Sequence, residues 1–173
     1  MGMKGIKHLP LYFGGLSVIA LALGAPSASA QEVSKFFCQT VGGSDKPEPL
    51  GDREGHGITV TTASCRIVGG LLDGSLLTAQ EIWEWDGTNA KMLLESGVIR
   101  KPGAIATYEL TEGKLELAIT DGKVTGFTAS GKGRWPTASG TAASLAGKSW
   151  TWKSWAAGAG QWEGEATLDV AAQ

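Results

Sequence analysis

The chain has 173 residues, with 15 Lys and Arg against 17 Asp and Glu and a net charge of −2 at neutral pH. That length suits a single domain with a sizeable core. A mildly acidic balance without a basic cluster argues against nucleic acid and against anionic membrane surfaces as partners.

The N-terminus reads as a targeting segment. Lys4, Lys7 and His8 open it, Leu11 to Leu23 is an uncharged apolar run, and Ala28-Ser29-Ala30 has the small-x-small form of a secretory cleavage site. The run is too short, and too soon followed by Pro26, for a membrane span. We therefore expect residues 1–30 to be a cleavable signal peptide cut after Ala30, and residues 31–173 to be one exported domain, periplasmic or secreted, with no membrane insertion of its own. The segment takes away two basic residues and no acidic one, leaving 143 residues with a net charge of −4. No cysteine directly follows Ala30, so a lipid anchor at the cut is not expected.

Residues 31–38 form a first short strand ending at Cys38. The polar stretch 39–57 is rich in Gly and Pro and reads as the longest loop, since Pro47 and Pro49 do not suit a central strand. Cys38 and Cys65 are the two cysteines of the chain. In an oxidising compartment two thiols most simply pair, and closing the loop between them stabilises the fold by roughly 3–4 kcal/mol in the chain-entropy model.

From Ile58 onward, turn signals recur at Asp73-Gly74, Asp86-Gly87 and Asp121-Gly122, with Lys101-Pro102-Gly103 and Glu112-Gly113 as further candidates. They separate runs of strand length at 58–70, 75–85, 88–99, 104–110, 114–120 and 123–134. Leu115, Leu117 and Ile119 alternate with Glu116 and Ala118, the period-two pattern of a half-buried strand. Residues 142–146 read as a helical turn, a loop or part of a strand. Residues 148–156 and 161–170 are two closing strands. The expected fold is all-β: a single antiparallel up-and-down barrel of about eight strands, because tight sequential hairpins favour a meander and closure removes both sheet edges. A β-sandwich is the alternative. The 21 glycines after Ala30 suit a strongly curved sheet.

Residues 131–142 read Gly-Lys-Gly-Arg-Trp-Pro-Thr-Ala-Ser-Gly-Thr-Ala. Paired glycines before an aromatic residue and an Ala-Ser-Gly turn resemble the late-strand segment of allene oxide cyclase-like and dirigent-like proteins. The resemblance implies an eight-stranded antiparallel barrel with an apolar cavity. It covers about a dozen residues and departs from the usual pattern at Pro136, and no catalytic residue carries over through it.

All seven tryptophans lie after Ala30. Trp83 and Trp85 are two apart and share a strand face, as do Trp150 and Trp152. Facing inward, these four would line a cavity for a small apolar or aromatic molecule; the competing reading is a solid aromatic core. Glu81 shares the face of Trp83 and Trp85 and is the candidate catalytic carboxylate, since burial beside indoles raises a carboxyl pKa. Asp52, Glu54 and His56 alternate in a Gly-rich segment that we read as a solvated loop, without a metal site. His56 is the only histidine after Ala30 and no Gly-x-Ser-x-Gly elbow is present, so a serine triad is poorly supported. No cofactor is expected. Three roles fit: a binding barrel for a small apolar molecule, a cyclase- or isomerase-like enzyme using Glu81, or an interaction protein such as a protease inhibitor, with a filled barrel and a working loop at 39–57.

Overall fold

The computed structural model describes residues 32–44 and 46–169, so the expected signal peptide and its cleavage site lie outside the described residues. The strands are β1 (Val33–Gly43), β2 (Glu48–Pro49), β3 (His56–Val68), β4 (Leu76–Asp86), β5 (Asn89–Lys101), β6 (Ala104–Thr120), β7 (Lys123–Gly140), β8 (Ser149–Gly158) and β9 (Gln161–Leu168). All pairings are antiparallel, and each long strand from β3 to β9 pairs with its neighbour in the chain. β1 pairs with both β9 and β3, which closes an eight-stranded up-and-down barrel with β2 as a short outer addition to β3. The sandwich alternative does not apply.

The turn chemistry explains most of this path. Asp121 and Gly122 both have positive φ (51° and 74°), the pair a type I′ hairpin needs. Between β4 and β5 the two loop residues are Gly87 and Thr88, and only Gly87 (φ 64°) is left-handed. Glycine in the first central position suits a type II′ turn. Pro102-Gly103 joins β5 to β6 with Gly103 at φ 75°, as a Pro-Gly type II turn requires.

Three expectations from the sequence need adjusting. Glu112-Gly113 is not a turn: β6 runs straight through it, and the ladder to β7 slips between Leu110 and Glu112 instead. A glycine inside a strand marks such an irregularity as readily as a hairpin. β7 extends beyond Arg134 to Gly140, with Pro136 where the ladder to β6 is again irregular and its missing N–H is not needed. Residues 39–43 continue β1, so the long loop is shorter than 39–57.

Cys38 and Cys65 stand directly opposite each other on the β1–β3 seam, 4.0 Å apart at Cα, and form a disulfide. The bond lies where the barrel closes on itself. Two 3-10 turns, Gly70–Leu72 and Ala143–Leu145, fold over one end and bury Leu72 and Leu145 there.

Candidate functional site

Strand periodicity decides what the interior holds. Along β3 the residues Thr59, Thr61, Ala63, Cys65 and Ile67 are buried while Val60, Arg66 and Val68 are exposed. On β4 the same alternation turns Leu77, Ala79, Glu81, Trp83 and Trp85 inward. The interior is not filled. It contains a cavity of about 780 Å³, within the range of small-molecule sites. Its lining runs from buried Leu72 and Leu145 at one end to exposed Val124 and Ala157-Gly158-Ala159 at the other.

Nine aromatic side chains stand in the wall. Trp83, Trp85, Trp150 and Trp152, the four expected from their spacing, all line the cavity. Trp135 and Trp162 join them. Trp135 and Trp150 stack with ring centroids 5.4 Å apart, and Tyr108 meets both edge-on at 6.1 and 6.0 Å. These are the offset and T-shaped arrangements that aromatic quadrupoles favour. The stack depends on Gly133. A Cβ there would lie 2.5 Å from the Trp150 ring, so only a residue without a side chain lets that indole lie flat. Trp155 points outward and donates its indole N–H to Glu163 at 2.9 Å.

The polar part of the wall centres on two carboxyls. Glu81 on β4 faces Glu95 on β5 directly across the ladder, and both line the cavity. Thr61 on β3 is the partner of Glu81 on the other side. The Tyr108 hydroxyl donates to Glu95 at 3.0 Å, and the Trp83 indole N–H donates to Glu81 at 3.3 Å. Tyr108 reaches Glu95 by crossing Gly97, where a Cβ would lie 2.7 Å from its ring. Burial pushes the Glu81 carboxyl above its ordinary range. Glu95 is pushed well above it, first by burial and then by the charge of Glu81. The Tyr108 phenol rises well above its usual value for the same reasons, burial first and then the nearby carboxyls. Two adjacent carboxyls in an apolar enclosure cannot both ionise cheaply, so burial and mutual repulsion favour a proton on one of them. Such a pair can exchange a proton with a bound molecule or hold a positive charge.

Glu81 was visible in the sequence because it shares a face with two tryptophans. Glu95 was not, because the β4–β5 ladder slips between Ile82 and Trp83. With one extra residue in β5, parity counted from Ala90 and Met92 puts the wrong residues inside. Trp135 was passed over because it sits beside Pro136, in a stretch without a clear pattern.

The second cluster lies on the outer face. His56 Nδ1 is 2.6 Å from Asp52, and its Nε2 is 3.0 Å from Glu84. Arg53 pairs with Asp52 at 3.1 Å and with Asp86 at 3.3 Å. The segment read as a solvated loop thus brings Asp52 and His56 together, and their companion is Glu84 rather than Glu54. Hydrogen bonds to Asp52 and then Glu84 raise the His56 pKa, and the bond to His56 lowers that of Asp52. Among the described residues, no group of three or more His, Cys, Asp or Glu is arranged to hold a metal ion.

No family model, no curated protein and no solved structure matches the chain. The functional reading therefore rests on the interior itself.

Proposed function

We propose that this protein is an exported barrel that binds one small organic molecule, with an aromatic or apolar body, inside its cavity. The observation that carries the reading is the unfilled interior of about 780 Å³ with six tryptophans in its wall. Protein interiors ordinarily pack to crystal-like density, so a space of this size is kept for an occupant or for solvent. The aromatic wall favours an apolar occupant. The resemblance of residues 131–142 to allene oxide cyclase-like barrels points the same way, as does the disulfide for export. An interaction protein acting through its loops has no need of a hollow barrel.

Native mass spectrometry of the mature domain, purified without denaturation from an exporting host, tests this. The expected result is an added mass that disappears on unfolding. Trp83→Phe and Trp152→Phe are expected to weaken retention of that molecule while leaving the fold unchanged by circular dichroism. No added mass, together with unchanged tryptophan emission across a panel of small aromatic compounds, overturns the reading.

The carboxyl pair favours one second reading. A buried ionisable group beside a cavity is what a cyclase- or isomerase-like enzyme requires, with Glu81 and Glu95 exchanging a proton with the substrate. Incubating the released molecule with fresh protein separates the two. A product that appears with the wild type and not with Glu81→Gln supports catalysis, and an unchanged molecule supports binding alone.

A further inference from the structure

We infer that the cavity takes an organic cation: an amine with an aromatic or apolar body, its ammonium group seated at the Glu81–Glu95 pair. This rests on the binding reading above and names the class of the ligand.

The first argument is an inventory of charge. Glu81 and Glu95 sit mid-barrel in the cavity wall, Glu32 lines it nearer one end, and among the described residues no Lys, Arg or His lines the cavity. Several acids on the outer surface are paired with cations. Glu84 has His56, Glu109 has Arg134, Glu112 has Lys132 and Glu165 has Lys153. Glu81 and Glu95, the carboxyls removed furthest from water, have no such partner among the described residues. An uncompensated charge in an apolar enclosure is costly, whereas a partner of opposite sign offsets that cost. The protein has not supplied the partner from its own side chains, and the adjoining space has room for one from outside.

The second argument is the chemistry of the wall. An ammonium group between two carboxyls, surrounded by indole faces, meets both attractions a cation can have in a protein: Coulombic pairing and the negative face of an aromatic ring. An anion would meet an acidic pair and no basic side chain among the described residues of the wall. A neutral aromatic molecule would gain the apolar contact but leave the carboxyls unpaired.

Three probes of one shape and different charge test the inference: 1-(aminomethyl)naphthalene, 1-naphthalenemethanol and 1-naphthaleneacetate, each titrated into the mature domain by calorimetry at pH 7.5. The amine is expected to bind at least tenfold tighter than the alcohol, with the acetate weakest. In Glu81→Gln/Glu95→Gln, the amine is expected to fall to the level of the alcohol while the alcohol keeps its affinity. If that variant does not fold, the single Glu95→Gln change and the wild-type ranking carry the same test. Equal binding of amine and alcohol, or preference for the acetate, overturns the charge assignment and leaves cavity binding standing. Failure of all three probes to bind overturns both readings.

Discussion

β4 carries one acidic residue into the barrel at Glu81 and another onto its outer surface at Glu84, and the two meet opposite conditions. Glu84 belongs to a network in which Asp52, Glu84 and Asp86 are each paired with Arg53 or His56. Glu81 faces a second carboxyl, Glu95, with no cation beside it. Groups in both regions have raised pKa values, for different reasons. His56 is raised because hydrogen bonds to carboxylates stabilise its charged form. Glu81 and Glu95 are raised because burial destabilises theirs. The outer region thus adds to stability when charged and the inner region subtracts from it. A fold keeps a feature that costs stability where function needs it, and on this ground we propose the inner pair as the site and the outer network as a fastening.

The stability given up inside has to come from elsewhere, and the closing seam is one source. Replacing both Cys38 and Cys65 with Ala is expected to have the largest effect of any change considered, a loss of roughly 3.5 kcal/mol by the chain-entropy model. Chemical unfolding of the mature domain measures it. A loss below about 1 kcal/mol would mean that the β1–β3 pairing holds the barrel closed without the bond.

Next in size is the inner pair. Glu81→Gln/Glu95→Gln is expected to raise stability at neutral pH by about 1–3 kcal/mol, as removal of unpaired buried charge generally does. Added to the double cysteine variant, it should recover part of what that variant lost. Destabilisation by the Gln pair at pH 7 would show that the carboxyls are better satisfied than their surroundings indicate, and the contrast between the two regions would then fail.

A third change acts on the cavity wall without altering charge. Gly133→Ala places a methyl group against the Trp150 ring. The expected cost is about 1–3 kcal/mol, typical of overpacking, together with a changed near-ultraviolet circular dichroism signal as the Trp135–Trp150 stack opens. An unchanged aromatic signal would mean that the ring shifts without leaving its neighbour, and that the glycine is not needed for the stack.

What the sequence disclosed follows the same division. Two-residue turns and strict alternation are local properties, so the approximate number of strands, the meander and the shared faces of Trp83 with Trp85 and of Trp150 with Trp152 could be read directly, while which face points inward came only from the closed barrel. The disulfide was legible because two cysteines in an oxidising context leave few choices. Features that depend on a break in the pattern were hidden. Glu95 lies beyond a register slip, Trp135 beside a strand proline, and β6 runs through a glycine that resembles a turn. The site therefore showed only its regular half, the tryptophans and Glu81. The partner that gives Glu81 its chemistry could be found only once the ladder was known.

The smallest expected effect gives the cleanest separation of the two regions, because it depends on sign. His56 has a folded pKa above its ordinary value of 6.5. Its contribution is fully present below that value and is lost as pH rises through the folded pKa. His56→Ala should therefore lower stability on the acid side, with the difference from wild type shrinking as pH rises. The carboxyl pair is also raised, from an ordinary value of 4.5. Its penalty is absent below that value and grows as pH rises toward the folded values. Wild-type stability should thus fall with rising pH on both accounts, and the two variants should flatten that slope in opposite ways. His56→Ala removes a gain at low pH, and Glu81→Gln/Glu95→Gln removes a loss at high pH. Thermal unfolding of the three proteins from pH 4.5 to 8.5 resolves this. If His56→Ala flattened the profile from the alkaline side, the outer network would carry an unpaired charge of its own, and the distinction between fastening and site would have to be redrawn.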